Sequence, residues 1–329
     1  MPFSVGNLAI RSPVLLAPMA GITDAPFRRL VARFGAGLVV SEMVASREIV
    51  EAHKGARARA EIGGTGGVPT SVQIAGREAR WMAEAARIAE ARGADLIDIN
   101  MGCPAKKVTG GWSGAALMRA PDHALSLIEA VVKAVRVPVT LKMRLGWDAD
   151  EITAPDLARR AEEAGVAMIA VHGRTRAQFY KGRADWAAIA QVRRAVSVPL
   201  VANGDVTDAA SAQAALAASG ADAVMVGRGA QGAPWVPARI AAALEGRAFA
   251  EPGLAARRDL ILEHREAMLG FYGRELGVRV ARKHLVWALE RIPGMQATAR
   301  AVVRLDAPEA VAGALRDGFA AAMDERAAA

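Results

Sequence analysis

Short apolar runs of strand length alternate with amphipathic helical stretches as far as residue 245. Eight such runs begin near Val14, Leu38, Thr70, Leu96, Val139, Ala167, Leu200 and Ala223. Parallel strands that are buried on both faces appear as continuous Val, Ile and Leu runs rather than as alternating ones. The pattern therefore predicts eight βα units in a parallel (β/α)₈ TIM barrel, with a doubly wound open sheet as the alternative.

Glycine and proline mark the ends of these units. Gly93, Gly165 and Gly220 each lie between a helical stretch and a buried strand, where a left-handed residue can close the helix. Pro138 and Pro199 stand at strand entry, where a missing N–H does little harm. This repeated placement supports a series of similar βα units.

Beyond residue 245 the strand pattern stops and the sequence is helical, with breaks expected at Pro252, Pro293 and Pro308. We therefore predict two domains, a barrel over residues 1–245 and a small all-helical domain over residues 246–329.

Positive charge is concentrated in the predicted helical domain. Residues 257–304 contain ten Lys or Arg against five Asp or Glu, whereas residues 305–329 contain two against five. The whole chain has a formal net charge of +8, which favours a polyanionic partner although it does not prove one. On the helix predicted over residues 278–292, Arg282 and Lys283 lie away from an apolar stripe and are candidate RNA contacts. A solvated charged face is the alternative.

Several classes of protein are disfavoured. The sequence has no apolar run of about 20 residues and no leader pattern, so we expect a cytoplasmic protein without membrane contact. Cys103 is the single cysteine, which leaves no intrachain disulfide and no cysteine-based metal cluster. We expect no metal ion and a monomeric chain.

Polar and glycine-rich segments follow the apolar runs. In a barrel the carboxyl ends of the strands form the active site, so these segments should converge. They are PMAGITD (18–24), SEM (41–43), QIAG (73–76), NMGCPAKKV (100–108), KMR (142–144), HGRTR (172–176), NGD (203–205) and GRGAQG (227–232).

The last two segments are typical of a phosphate site. Loops after strands 7 and 8 commonly bind phosphate in this fold, and Gly204, Gly227, Gly229 and Gly232 would let backbone amides approach an anion that Arg228 neutralises. The alternative is that these glycines only make tight turns.

Lys142 ends an apolar strand, so its ammonium group should face the site. It could form a Schiff base, stabilise negative charge at N1 of a reduced flavin, or lie at the barrel rim. Gln73 would offer an amide to a heterocycle in the same cavity, which favours the flavin.

Cys103 and His172 are the other reactive side chains at the strand ends. Cys103 lies on a loop between Gly102 and Pro104, and its thiol could act as a proton donor or, because Lys106 and Lys107 are near in sequence, as a nucleophile. Asn100 could pair with a planar base. His172 could be a base or a phosphate partner, and metal binding is the least favoured role because no second ligand has suitable spacing.

In this order, the segments at the strand ends resemble the tRNA-dihydrouridine synthases, most closely the bacterial class B enzymes. Tyr180, Gly182 and the segment ARKH (281–284) before Trp287 extend the resemblance into the tail. Residues 109–114, TGGWSG, depart from it, because basic and larger residues are usual there in the family.

The resemblance implies an FMN cofactor and NADPH as the electron source. It implies that reduced flavin passes hydride from N5 to C6 of uracil while the thiol at the Cys103 position protonates C5. It also implies a tRNA substrate modified in the D-loop, with position 17 suggested by the class B likeness. The residues that it implies for FMN are Pro18, Met19, Ala20, Gln73, Lys142, His172, Asn203, Gly204, Asp205, Gly227 and Arg228.

Two other functions remain open from the residues alone. A flavin dehydrogenase acting on a small pyrimidine would leave the basic tail unexplained. A non-enzymatic RNA-binding barrel would leave the polar strand ends unexplained.

Overall fold

The N-terminal segment forms a small antiparallel hairpin in the computed structural model, which describes residues 2–327. Strands β1 (Phe3–Val5) and β2 (Leu8–Ile10) pair so that Phe3 lies opposite Ile10. The turn contains Gly6 at φ 58°, a left-handed conformation that glycine adopts readily. The hydrophobic pattern did not predict this hairpin, because three-residue strands are too short to show a period.

Eight parallel strands within the described residues then close into a barrel. They are β3 (Val14–Leu16), β4 (Val39–Val40), β6 (Thr70–Ala75), β7 (Leu96–Met101), β8 (Val139–Arg144), β9 (Met168–His172), β10 (Leu200–Asn203) and β11 (Ala223–Val226), while a further short strand, β5 (Val44–Ala45), pairs with β6. Each barrel strand pairs with the next, and β11 pairs with β3. The predicted barrel is confirmed, and the open sheet is wrong.

An apolar plug fills the barrel at the amino ends of its strands. Val5 and Ile10 of the hairpin belong to the same buried cluster as Leu15, Leu96 and Val201 of the strands. Burying one such aliphatic side chain contributes about 1.5 to 3 kcal/mol. Because aliphatic groups fill this end, the polar side chains inside the barrel lie toward the carboxyl ends of the strands.

Helices surround the barrel. The long ones are α1 (Ala25–Phe34), α4 (Ala79–Ala91), α6 (Pro121–Ala134), α7 (Ala154–Glu163), α8 (Trp186–Ala195), α9 (Ala209–Ser219) and α10 (Val236–Leu244). Shorter helices α2 (Ser46–Val50), α3 (Lys54–Arg59) and α5 (Lys106–Thr109) lie in loops. Sequence caps fix several boundaries: the Asp24 carboxylate accepts from the Phe27 amide at 2.9 Å, which starts α1.

The C-terminal sequence folds into four helices with their own core. They are α11 (Leu254–Tyr272), α12 (Arg274–Glu290), α13 (Gln296–Val302) and α14 (Pro308–Ala327). Met268, Leu285, Leu289, Leu315 and Phe319 belong to one buried cluster. The break between α11 and α12 is at Gly273, with φ 81°, and it was not predicted from the sequence.

The chain divides into two compact units. The first unit comprises residues up to 229 together with 236–247, and the second comprises residues 230–235 together with the chain from residue 248 onward. Residues 230–235, which the sequence analysis assigned to the barrel, group with the helical unit. Within residues 2–327, no helix combines the length and the apolar character that crossing a membrane requires.

Candidate active site

Polar side chains from five successive barrel strands are buried at the carboxyl ends of those strands. Each is at most 9% exposed, and they are Gln73, Asn100, Lys142, His172 and Asn203. All five were predicted as site residues from their positions after apolar runs. The structure places them on β6 to β10, in the order expected for a parallel barrel.

A hydrogen-bonded network fixes the amide of Gln73. Its carbonyl oxygen accepts from the Asn100 amide at 2.8 Å, and its own NH₂ group donates to the Asp98 carboxylate at 2.7 Å. Thr140 donates to the other Asp98 oxygen at 2.5 Å. Burial raises the pKa of Asp98, and the hydrogen bonds from Thr140 and Gln73 oppose that shift. Because both ends of the amide are held, the orientation of Gln73 is set by its neighbours.

Lys142 provides a buried positive charge beside this network. Its Nζ donates to the Asn203 side-chain oxygen at 3.0 Å, and the Asn203 NH₂ group donates to the Met225 carbonyl at 2.8 Å. Burial lowers the pKa of Lys142 to about 8, and the charge of Arg144 adds to this lowering. The group is therefore mostly an ammonium ion at pH 7 and loses its proton at mildly alkaline pH.

Cys103 follows β7 on a loop that is held through its backbone. The Asn100 side-chain oxygen accepts from the amides of Cys103 and Gly102 at 3.0 and 3.3 Å. The thiol-bearing residue is only partly buried. The side chain of Asn100 is thus engaged in positioning the loop, and its predicted contact with a base stays a prediction.

Arg144, at the end of β8, joins the loops after β7 and β9, and it was not predicted as a site residue. It is 2% exposed and donates to the carbonyls of Gly102, Thr175 and Phe179 at 2.8, 2.9 and 2.8 Å. Burial lowers the pKa of Arg144 to about 10, so it keeps its charge near neutral pH. Its place two residues after Lys142 on β8 is the signal that could have identified it.

A chain of charged and imidazole groups runs along the ends of β9 and β10. His172 Nε2 lies 3.1 Å from Arg174, whose guanidinium also contacts the Asp205 carboxylate at 2.6 Å. Asp205 in turn lies 3.5 Å from Arg228. Burial acts to raise the pKa of Asp205, but hydrogen bonds from Arg174 and the Ala184 amide bring it below its usual value.

His172 is neutral in this setting. Burial lowers its pKa to about 2, and the charges of Lys142, Arg144, Arg174 and Arg228 act in the same direction. Since a guanidinium can only donate, Nε2 of His172 accepts from Arg174 and the proton resides on Nδ1.

The comparisons identify the family. The family model described as dihydrouridine synthase matches residues 15–322. This chain belongs to the dihydrouridine synthase family. A probable tRNA-dihydrouridine synthase of Rhodobacter capsulatus is 67% identical over 291 residues, which cover 88% of this chain and 90% of the relative.

Two further relatives align with this chain over almost the whole length of both proteins. A probable tRNA-dihydrouridine synthase of Rhizobium leguminosarum bv. phaseoli is 57% identical over 98% of this chain and 100% of the relative. The tRNA-dihydrouridine synthase B of Xanthomonas axonopodis pv. citri is 49% identical over 96% of this chain and 95% of the relative.

Solved structures agree on the fold of the synthase barrel. Morphinone reductase in complex with tetrahydroNAD superposes with a TM-score of 0.53 at 17% identity, covering 78% of this chain and 93% of the reductase. A 2-naphthoyl-CoA reductase complex gives a TM-score of 0.58 at 16% identity, covering 75% of this chain and 52% of that protein. At such identities the likeness concerns the fold alone.

The glycines predicted to form an anion site in this synthase serve different purposes. A Cβ at Gly204 would lie 2.8 Å from the His172 ring, and one at Gly229 would lie 2.9 Å from the Val206 carbonyl oxygen. A Cβ at Gly232 would collide with the Trp287 backbone, within the helical unit. These three therefore meet a packing need, whereas a Cβ at Gly227 would make only an ordinary contact with Met19, at 3.6 Å.

The loop after β3 carries the other predicted cofactor residues of the synthase. Pro18 and Met19 are half-buried and Ala20 is exposed. The Met19 amide donates to the Thr23 hydroxyl at 2.9 Å, and Glu42, at the end of β4, accepts from the Gly21 amide at 2.5 Å. Glu42 thus links two neighbouring loops, a role that the sequence did not reveal.

The predicted RNA contacts Arg282 and Lys283 lie on α12 in the helical unit of the synthase. Arg282 is half-buried and donates to the Asp306 carboxylate at 2.5 Å and to the Leu305 carbonyl at 3.2 Å. Arg282 therefore has a local partner, which the sequence analysis did not foresee. Among the residues from 2 to 327, no group of three or more His, Cys, Asp or Glu is placed to hold a metal ion.

Proposed function

We propose that this protein reduces a uridine in the D-loop of tRNA to 5,6-dihydrouridine, using bound FMN and electrons from NADPH. Membership of the dihydrouridine synthase family and relatives named as tRNA-dihydrouridine synthases support the reaction. The observation that carries the proposal is the position of Cys103 on a loop fixed by Asn100, next to the buried polar groups Gln73 and Lys142.

The chemistry of the buried groups suits the polar edge of a flavin ring. Such an edge carries carbonyl oxygens and ring nitrogens, which need both hydrogen-bond donors and a nearby positive charge when the ring is reduced. Gln73 offers an amide whose orientation is fixed, and Lys142 offers an ammonium group. We propose that Asn203 contacts the same polar edge of the ring. Pro18, Met19 and Ala20 would be further contacts of FMN.

The phosphate of FMN would lie against the ends of β10 and β11. The Arg228 side chain is 60% exposed, lies 3.5 Å from the Asp205 carboxylate and has its guanidinium 5.5 Å from the centroid of the Tyr180 ring, so its charge remains accessible to an anion. Gly227 and the amide of Arg228 follow β11 directly, and neutral His172 with its Nδ1 proton can donate a hydrogen bond. Gly204 and Asp205 support this end by packing against His172 and pairing with Arg174.

When bound, FMN supplies the hydride that reaches C6 of the uracil. Cys103 would hold the proton that C5 requires, because its residue is partly exposed and the backbone of its loop is fixed by Asn100. Lys142 holds a positive charge close to the reacting groups, which favours negative charge developing there. We propose NADPH as the reductant and position 17 as the target, on the basis of the class B resemblance and of the relatives named synthase B.

Two assays test this function. The purified protein should be yellow, with FMN released on denaturation, and with NADPH it should form dihydrouridine in tRNA taken from cells that lack the protein. Mapping the product should give position 17. A colourless protein that FMN cannot restore would contradict the cofactor, and reduction of free uracil but not of tRNA would favour the small-pyrimidine dehydrogenase.

A further inference from the structure

The loop that follows Cys103 returns to it. The Ala115 amide donates to the Cys103 carbonyl at 3.1 Å. Gly114, at φ 60°, packs so closely that a Cβ there would lie 2.8 Å from the same carbonyl oxygen. Residues 103–115, here called the thiol loop, are therefore a compact surface loop with both ends at Cys103.

Trp112, in the thiol loop, combines an exposed ring with an unusual backbone conformation. Its ring is among the large exposed hydrophobic groups, at 57% exposure, and its backbone has φ 55°. A bulky residue in the left-handed region is strained and persists only where the surroundings fix it. Glycine would adopt this conformation without strain. The chain thus keeps a large aromatic ring, exposed to solvent, at a position where the backbone favours glycine.

The thiol loop is braced, so the backbone at Trp112 is held in a defined place. The Trp112 amide donates to the Thr109 carbonyl at 3.1 Å, and the Thr109 hydroxyl donates to the Ala105 carbonyl at 3.2 Å. Arg176, from the loop after β9, lies 3.5 Å from the Thr109 hydroxyl and stacks on Trp147 with its guanidinium 4.5 Å from the ring centroid.

The charge around this ring suits a nucleic acid. Lys106 and Lys107 are exposed on the same thiol loop, within α5. Exposed aromatic rings combined with lysine side chains are the usual means by which proteins bind unpaired nucleotides, through base stacking and phosphate contacts. Because the thiol loop begins and ends at Cys103, it places Trp112 on the same short segment of the chain as the reactive thiol.

We infer that Trp112 stacks on a nucleobase adjacent to the uridine that enters the active site. The inference rests on the proposed function, because extruding one base from the tRNA leaves its neighbour without a stacking partner. Trp112 replaces that stacking partner. The side chains of Lys106 and Lys107 contact the flanking phosphates. The residue would thereby help to select the position at which the tRNA is opened.

The test compares Trp112→Gly with Trp112→Phe in the full-length protein. Glycine removes the ring and relaxes the backbone, so this variant is expected to fold, and thermal unfolding checks that it does. We expect Trp112→Gly to bind tRNA roughly 5- to 30-fold more weakly, with the loss in KM rather than in kcat. Trp112→Phe keeps an aromatic face and should retain most of the affinity. Equal tRNA affinity for Trp112→Gly and the wild type would refute the inference.

A second measurement identifies the base. tRNA transcripts with an abasic nucleotide on the 5′ or 3′ side of the target uridine are titrated against both proteins. One of the two abasic transcripts should weaken binding to the wild type but have little further effect on binding to Trp112→Gly. If each abasic transcript weakened binding to Trp112→Gly as much as binding to the wild type, the proposed contact would be overturned. A wild type that binds tRNA without forming dihydrouridine would contradict the proposed function, and these binding comparisons would still decide the role of Trp112.

Discussion

Asn100 positions a reactive neighbour without touching its reactive atom. Its side-chain oxygen accepts from two backbone amides, those of Gly102 and Cys103, while its NH₂ group donates to Gln73. The loop is therefore tied to the buried amide network through its backbone. The thiol of Cys103 remains available for chemistry, and replacing it should leave the loop in place.

Replacing Cys103 by Ala tests the thiol as the proton donor. We expect the variant to keep its FMN and to oxidise NADPH, because the backbone hydrogen bond to Asn100 does not involve the side chain. Formation of dihydrouridine should fall by roughly 10²- to 10⁴-fold, the usual contribution of a positioned acid. Product is measured in tRNA by mass spectrometry, with reduction of bound flavin by NADPH in the absence of tRNA as the control. Product formation at the wild-type rate would refute the role.

The sequence could predict which residues face the site but not what holds them. Gln73, Lys142 and Asn203 were found because polar groups that end apolar strands must face the barrel mouth. Asp98 and Arg144 were missed as site residues, although both lie on the same strands. Their importance depends on contacts with residues 25 to 42 positions away along the chain, such as Gln73 and Gly102, and a single sequence does not specify such pairs.

At the scale of elements, the eight barrel strands were predictable and the smallest elements were not. Strands β6, β7 and β8 each contain six residues, all of them buried, which is long enough for a strand to be recognised from its apolar residues. The hairpin of β1 and β2 and the two-residue β5 escape such a pattern, because they are stabilised by tertiary packing rather than by local preference. The hairpin matters for the site, because it completes the apolar plug that leaves polar groups to the opposite end.

Helices α11 and α12 contain two histidines in contact that the sequence pattern did not reveal, a half-buried His264 and a buried His284. The rings of His264 and His284 meet edge to face with centroids 5.0 Å apart. Burial lowers the pKa of His264 to about 4, and burial together with the nearby His264 and Lys283 lowers that of His284 well below its usual value. Both imidazoles are therefore neutral in the folded helical unit at neutral pH.

We predict that these histidines make the protein sensitive to acid. In the unfolded chain a histidine takes up a proton near pH 6.5, whereas folded His264 does so only near pH 4. The unfolded state therefore binds more protons between these values, and the free energy of unfolding falls as the pH drops from about 6.5 to 4. From pH 7 to pH 5 the expected contribution of His264 is a loss of about 2 kcal/mol.

Urea unfolding of the wild type and of His264→Phe at pH 7 and pH 5 measures this contribution. Phenylalanine keeps the ring but cannot take up a proton, so the variant should lose about 2 kcal/mol less on acidification. His123→Phe, which replaces an exposed histidine on α6, is the matched control. If His264→Phe showed the same loss as the wild type, protonation of His264 would not be a source of the acid sensitivity.

At the scale of the whole molecule, each of the two units carries basic residues. The chain carries a net charge of +8, and at the strand ends of the first unit Arg228 is exposed whereas Lys142, Arg144 and Arg174 are buried. The second unit has its own basic segment, on which Arg279 is exposed and Lys283 is partly buried. Nucleic-acid binding by such a surface depends on salt, because each phosphate contact releases bound counterions.

Arg282 and Lys283 test whether the helical unit holds the tRNA. We expect Arg282→Ala with Lys283→Ala to weaken tRNA binding and to lower the slope of log affinity against log salt by about 1 to 2, while FMN content stays the same. Filter binding over a range of salt concentrations measures the slope. An unchanged slope would remove these residues from the RNA interface.

The ion pair between Arg282 and Asp306 supplies the control for this experiment. Because Arg282 donates to the Asp306 carboxylate and the Leu305 carbonyl, its removal could act through the fold of the helical unit instead of through RNA. Asp306→Ala breaks the same ion pair but leaves the positive charge, and Asp306 is itself 90% exposed. If Arg282 contacts phosphate, Asp306→Ala should bind tRNA at least as tightly as the wild type, because it frees the guanidinium and removes a negative charge. If the ion pair serves only the fold, Asp306→Ala and Arg282→Ala should weaken binding to the same extent, with equal losses of thermal stability.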